Sequence, residues 1–77
     1  MFELVVATVD KVYFEGAAQS VTVPGEEGEV TILAHHEPFV TPLRPGTITV
    51  RTLGEEKTIP ASSGLLEVHK EGVTILL

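Results

Sequence analysis

Short segments in which apolar and polar residues alternate recur along the whole chain. Residues 20–23 read Ser-Val-Thr-Val, and residues 47–53 alternate so that Ile48 and Val50 face the same side. A period of two residues is typical of a strand with one buried face, and no window has apolar residues at the 3.6-residue spacing of a helix. Further segments with the composition of extended strands lie at 2–9, 11–14, 29–33, 57–62, 65–69 and 73–77.

Glycine and proline separate these segments. Residues 24–28 read Pro-Gly-Glu-Glu-Gly and residues 44–46 read Arg-Pro-Gly, which are typical turn compositions. Pro38 and Pro42 exclude a helix interior between them. The pattern predicts an all-β fold of about ten short strands, arranged as a flattened antiparallel β-sandwich or barrel.

The composition limits how this fold is stabilised. The chain has 77 residues and no cysteine, so its core must come from Val, Ile and Leu, without disulfides or thiolate metal ligands. The length predicts a single domain over residues 1–77. No apolar run approaches the roughly 20 residues that a spanning helix needs, and the N-terminus lacks the basic run of a signal peptide. We therefore expect no direct insertion into a membrane.

The net charge of −6 is concentrated in the first part of the chain. Up to Leu43, seven acidic residues face one basic residue, and from Arg44 onward four residues of each sign cancel. Nucleic acids and anionic lipids are poor partners for such a surface, because phosphate binding needs clustered Lys and Arg. A basic protein partner is compatible with it, and so is an ordinary solubilising role for the charge.

Adjacent histidines raise the question of a metal site. His35, His36 and Glu37 follow one another, and imidazole is a common metal ligand. Neighbouring residues of an extended segment point to opposite faces, so the two histidines cannot easily share one ion. The His-Glu-x-x-His spacing of a metalloprotease is also missing. We expect one histidine to hold a loop by hydrogen bonds and the other to lie at the surface.

The sequence offers no convincing catalytic group. Glu26 and Glu27 lie in a turn where both would be solvated, whereas a catalytic pair needs pKa values separated by burial or neighbouring charges. Residues 62–64 read Ser-Ser-Gly, which does not match the Gly-x-Ser-x-Gly nucleophile elbow. The residues favour a binding or structural module that is not an enzyme and needs no cofactor.

The segment VPGEEGEVTILAHHEPFVTPLRPGTITV at 23–50 resembles a known family. It is similar to the central stretch of the epsilon subunit of F-type ATP synthase, called delta in mitochondria. That family typically reads Pro-Gly-x-x-Gly-x-hydrophobic-Gly-Ile-Leu-Pro-Gly-His-x-Pro, then a hydrophobic pair, Thr, two residues, a basic residue, Pro and Gly. The residues in register are Pro24, Gly25, Gly28, Glu29, Ile32, Leu33, His36, Pro38, Thr41, Arg44, Pro45 and Gly46.

The resemblance implies a function. Such a subunit is a non-catalytic part of the central stalk, or rotor, and links the gamma subunit to the membrane c-ring. It couples ion-driven rotation to ATP synthesis and lies peripherally on the cytoplasmic face of the bacterial plasma membrane. By motif position, the c-ring contacts are Glu29, Val30, Thr31 and His36. The same matching of motif positions implies that the gamma-subunit contacts are Phe39, Val40, Thr41 and Pro42.

The chain departs from the family pattern at three named positions. Thr31 stands where the family usually has Gly, and Ala34 and His35 stand where it usually has Pro-Gly. The family also usually adds a C-terminal helical hairpin that can inhibit ATP hydrolysis. We expect this chain to lack the hairpin and therefore to assemble and couple without inhibiting by that route.

Two alternatives to a rotor subunit stay open at this point. One is a free-standing small β-sandwich that binds a metal or ligand through His35, His36 and Glu37. The other is a generic adaptor with an acidic face. Saturating Zn²⁺ would raise the unfolding temperature of a folded metal site and leave that of a rotor subunit unchanged.

Overall fold

The computed structural model describes residues 1–35 and 37–77, and within them the chain forms short strands joined by turns. Nine strands are described: β1 (Phe2–Ala7), β2 (Val12–Ala18), β3 (Ser20–Gly25), β4 (Gly28–Leu33), β5 (Phe39–Leu43), β6 (Gly46–Thr52), β7 (Glu55–Ala61), β8 (Gly64–His69) and β9 (Gly72–Leu76). These residues include no helix. The predicted all-β fold is confirmed. The segment predicted at 11–14 is longer in the structure, because β2 continues through Gly16 to Ala18.

The strands form two layers that face each other. One layer has the order β2-β1-β9-β8-β5, and the other has the order β4-β3-β6-β7. A single pair, Gly25 with Leu43, connects the layers between β3 and β5. The pairs are antiparallel except for β1 with β9, which run parallel. Alternation predicts strands but not their direction, so the parallel pair was not foreseen.

The edge strands β2 and β7 lie on the same side of the sandwich, one in each layer. Pro60 lies in β7, an edge strand, where its missing N–H interrupts no ladder on the open side. The Lys57 ammonium of β7 donates to the Tyr13 carbonyl of β2 at 3.1 Å, across the gap between the layers. Lys11 lies 4.8 Å from the centre of the Tyr13 ring. The contact between Lys57 and Tyr13 nearly closes the sheet into a barrel.

The core lies between the layers and consists of aliphatic residues. Ile48 and Val50 are fully buried, as their alternation predicts, and so are Leu4, Val6, Val21, Val23, Ile32, Leu66 and Ile75. Burying one such side chain contributes about 1.5–3 kcal/mol. No polar or charged side chain of the described residues is buried. The described part of the chain also contains no helix long and apolar enough to cross a lipid bilayer.

Candidate functional site

Strand β5 carries the four residues that the motif assigns to a gamma-subunit contact. Paired residues on neighbouring strands share a face of the sheet. Val40 pairs with exposed Glu67, whereas Thr41 pairs with buried Leu66. Val40 and Pro42 therefore lie on the outer face of their layer. Phe39 and Thr41 point toward the opposite layer.

An apolar strip extends from β5 across the outer face of its layer. Pro42 pairs with Leu65, which in turn pairs with Leu76. The exposed fractions are 58% for Val40, 41% for Leu65 and 52% for Leu76. We call Val40, Pro42, Leu65 and Leu76 the apolar strip. A contiguous exposed apolar patch marks a protein-binding surface more often than scattered apolar residues do.

Leu65 and Leu76 were missed by sequence reasoning. Each belongs to a segment with two adjacent leucines, Leu65-Leu66 and Leu76-Leu77, so composition does not reveal which of the two faces outward. Only the register of β5, β8 and β9 brings them beside Pro42. The two leucines can therefore be identified only from the folded structure.

A groove lies on the other side of β5, between β5 and β4. It has a volume of about 390 Å³ and is lined by Glu26, Glu27, Val30, Phe39, Val40, Thr41 and Pro42. We call it the β4–β5 groove. The structure thus places Val30, which the motif assigns to the c-ring contact, together with the four residues assigned to the gamma subunit.

Gly25 allows the hairpin of β3 and β4 to turn tightly beside this groove. A Cβ atom at Gly25 would lie 2.8 Å from the Gly28 carbonyl oxygen, 3.1 Å from Cγ2 of Val30 and 3.9 Å from Cγ2 of Thr41. A separation of 2.8 Å is too short for a carbon atom against a backbone oxygen. The family glycine at this position therefore has a steric reason: it allows β3 and β4 to turn tightly under β5.

The remaining residues assigned to the c-ring contact lie apart from Val30. Glu29 and Thr31 are exposed and alternate with Val30 along β4, so they point outward. The Thr31 hydroxyl is hydrogen bonded to the Thr22 hydroxyl on β3 at 2.9 Å. His36 lies outside the described residues.

The backbone conformation explains why Thr31 and His35 are tolerated where the family usually has glycine. Thr31 sits in regular strand opposite Thr22, and the described non-glycine residue with a positive φ is His35, at 65°. The family usually has Gly at the position of His35, and His is among the residues that tolerate this region best. Thr31 thus fits its strand, and the positive φ lies at His35.

The described histidines and acids do not form a metal site. Within 1–35 and 37–77, no three His, Asp or Glu side chains lie close enough together to hold one ion. His69 is instead 3.2 Å from the Thr74 hydroxyl through Nε2 and 3.6 Å from the Glu71 carboxylate through Nδ1. Glu26 and Glu27 are exposed in the turn between β3 and β4. The candidate binding features at β5 are thus an apolar strip and a groove.

These features define a class of protein: a small β-sandwich with an exposed apolar strip on one outer face. The chain belongs to the family described as ATP synthase, Delta/Epsilon chain, beta-sandwich domain, whose model matches residues 1–77. The resemblance stated from the motif at 23–50 is confirmed.

Curated relatives agree with this family. The chain is 45% identical over 75 residues to the ATP synthase epsilon chain of Bradyrhizobium sp. (strain ORS 278), covering 97% of this chain and 54% of the relative. It is 48% identical over 64 residues to the ATP synthase epsilon chain 1 of Methylococcus capsulatus, covering 82% of this chain and 46% of the relative. The chain therefore spans about half the length of the curated relatives it matches.

Solved structures share the fold. A chain of the Euglena gracilis mitochondrial ATP synthase, in a structure of OSCP, F1 and the c-ring, matches with a TM-score of 0.89 and 28% identity. That match covers 97% of this chain and 49% of the Euglena chain. A chain from the central stalk and c-ring of the Tetrahymena thermophila enzyme matches with a TM-score of 0.81 and 19% identity, covering 99% and 63% respectively. At 19% identity the second match concerns the fold alone.

Proposed function

We propose that residues 1–77 form the N-terminal β-sandwich domain of an ATP synthase epsilon subunit, a non-catalytic part of the rotor. The family match over the whole chain carries this proposal. The exposed apolar strip supports it, because a rotor subunit needs a permanent binding surface for its stalk partner. The metal-binding alternative has no comparable support among the described residues.

The proposed partners are the gamma subunit and the c-ring, and they contact different parts of the sandwich. The apolar strip, with Phe39 and Thr41 beside it, faces the gamma subunit. Glu29 and Thr31, on the outward face of β4, and His36 face the polar loops of the c-ring. The complex lies on the cytoplasmic face of the bacterial plasma membrane, and the domain reaches the membrane only through its partners.

The mechanical role follows from the construction of the sandwich. Coupling rotation between two partners requires a body that deforms little under load. The layers enclose an aliphatic core without buried polar side chains among the described residues, and packed interiors have low compressibility. The Lys57–Tyr13 hydrogen bond joins the layers at the side opposite the β4–β5 groove. The domain thus transmits torque and supplies no reacting group.

Single cysteines in the full-length subunit test the two surfaces within the assembled synthase. The described domain has no cysteine of its own, so each variant adds one thiol to it. We expect a thiol-to-amine cross-linker to join Val40→Cys to the gamma subunit and Glu29→Cys to the c-ring. Leu53→Cys, in the turn between β6 and β7, is the control and should give neither product. Equal yields from all three positions would overturn the assignment of surfaces.

A further inference from the structure

We propose that the whole outer face of the layer β2-β1-β9-β8-β5 binds a gamma-subunit surface that presents aliphatic side chains beside two cationic ones. The two cations, Lys or Arg, lie opposite Glu15 and Glu67. The inference rests on the proposed function and adds the extent of the contact and the chemistry of the partner surface. Neither the motif nor the comparisons assign a role to Val12, Glu15 or Glu67.

Strand register aligns one residue from each of the five strands in a row that crosses this face. Ala7 pairs with Val12 on one side and with Leu76 on the other. Leu76 pairs in turn with Leu65, and Leu65 pairs with Pro42. We call these five residues the Pro42 row, and they extend the apolar strip across β1 to β2. Since neighbouring strands lie about 4.8 Å apart, the row is about 19 Å long.

Every side chain of the Pro42 row is apolar. Val12, at the end that the apolar strip does not include, is 55% exposed. Ala7 is buried but does not belong to the core cluster between the layers. Single exposed apolar residues are common on any protein surface, whereas a continuous apolar row over five strands marks a surface that another protein covers.

A second row lies beside the first, about 7 Å along the strands. Its members are paired in the same strand order and form what we call the Glu67 row: Glu15, Val5, Thr74, Glu67 and Val40. Both glutamates are exposed, and three strand spacings of about 4.8 Å separate them, or about 14 Å. Neither row contains Lys or Arg, and neither glutamate is in an ion pair with another described residue.

The two rows together determine the chemistry of the partner. A protein that covers the Pro42 row also covers the neighbouring Glu67 row and removes its two carboxylates from water. An ionised carboxylate that is buried without a partner is costly, so a surface that fits must carry Lys or Arg opposite Glu15 and Glu67. Lys and Arg suit this position, because their stems pack on apolar surface while the charged end reaches a carboxylate.

Charge also argues against a second copy of the domain as the occupant. Two copies joined through this face would bring together four glutamates and no Lys or Arg from the two rows. Like charges in such a contact repel, whereas an oppositely charged surface binds and associates faster. The gamma subunit is the partner that the proposed function supplies for this face.

The test compares two double variants that remove the same charge from opposite layers. Glu15→Gln with Glu67→Gln changes the Glu67 row, and Glu55→Gln with Glu56→Gln changes the start of β7. Glu56 is in an exposed ion pair with Arg51 at 3.3 Å, which contributes little to folding. Binding of the full-length subunit to the gamma subunit is measured by calorimetry at several salt concentrations, and thermal unfolding of each variant checks its fold.

We expect the Glu67-row variant to raise Kd about tenfold at low salt and to reduce the salt dependence, and the control to change Kd less than about twofold. Equal weakening by both variants would overturn the inference. So would a Glu67-row variant that binds like the wild type while Val40→Lys binds weakly, although the proposed function would then stand. A wild-type subunit that does not bind gamma would overturn the proposed function and this inference together.

Discussion

Replacing Val40 by Lys should weaken binding to the gamma subunit at least about 100-fold, because it places a charge within the apolar strip that the partner would cover. Val40 is 58% exposed, so the substitution does not disturb the core. It pairs with Glu67 on β8, and a Lys opposite a Glu is a favourable cross-strand pair. The free domain should therefore keep its unfolding temperature while the complex is lost. Calorimetric titration of the gamma subunit measures the effect.

Leu53→Lys provides a matched control for this variant. Leu53 is 73% exposed in the turn between β6 and β7, away from the apolar strip, and the change adds the same charge. We expect its affinity for gamma to match that of the wild type. If Val40→Lys binds as tightly as Leu53→Lys, then β5 is not the contact surface for gamma.

Replacing Gly72 by Ala should destabilise the domain by about 2–4 kcal/mol, through a collision together with an unfavourable φ. Gly72 begins β9 with a φ of 157°, and an added Cβ would lie 2.5 Å from the Glu3 carbonyl oxygen on β1. That oxygen belongs to the backbone and cannot rotate away as a side chain does. Since a domain of this size has a stability of roughly 4–12 kcal/mol, the loss is a large fraction of the total. Urea unfolding followed by circular dichroism measures it.

Gly54→Ala separates the collision from the effect of the backbone angle. Gly54 has a φ of 85°, but nothing lies within 4 Å of the position of an added Cβ. Its substitution should cost only about 1 kcal/mol, the usual penalty for a side chain at positive φ. Similar losses for the two variants would mean that the close approach of β9 to β1 does not limit stability.

Much of the fold could be predicted because a period of two residues identifies strands directly. Ile48 and Val50 alternate with threonines, and both are fully buried in the structure. The segment predicted at 11–14 stops short of the end of β2, because a glycine such as Gly16 can lie inside a strand without ending it. The parallel pairing of β1 with β9 joins the two ends of the chain, and no local pattern encodes so distant a contact.

The candidate site could be predicted only in part. The motif identifies β5 as a candidate contact strand, since the family resemblance extends through Thr41 and Pro42. Alternation along β4 then separates Val30 from Glu29 and Thr31, which the motif treats as one group. Leu65 and Leu76 join the strip through cross-strand register, and Glu26 and Glu27 reach the groove through the folding of β5 over the turn. Register and layer packing depend on the whole chain, so sequence spacing alone does not yield them.

The central claim is that the domain is part of the rotor, and its most direct test is binding to the gamma subunit of the same genome. Native mass spectrometry of the purified mixture should show a stable one-to-one complex, with circular dichroism confirming that the free domain is folded. A folded domain that forms no complex with gamma, whether as this chain or as the full-length subunit, would contradict the account.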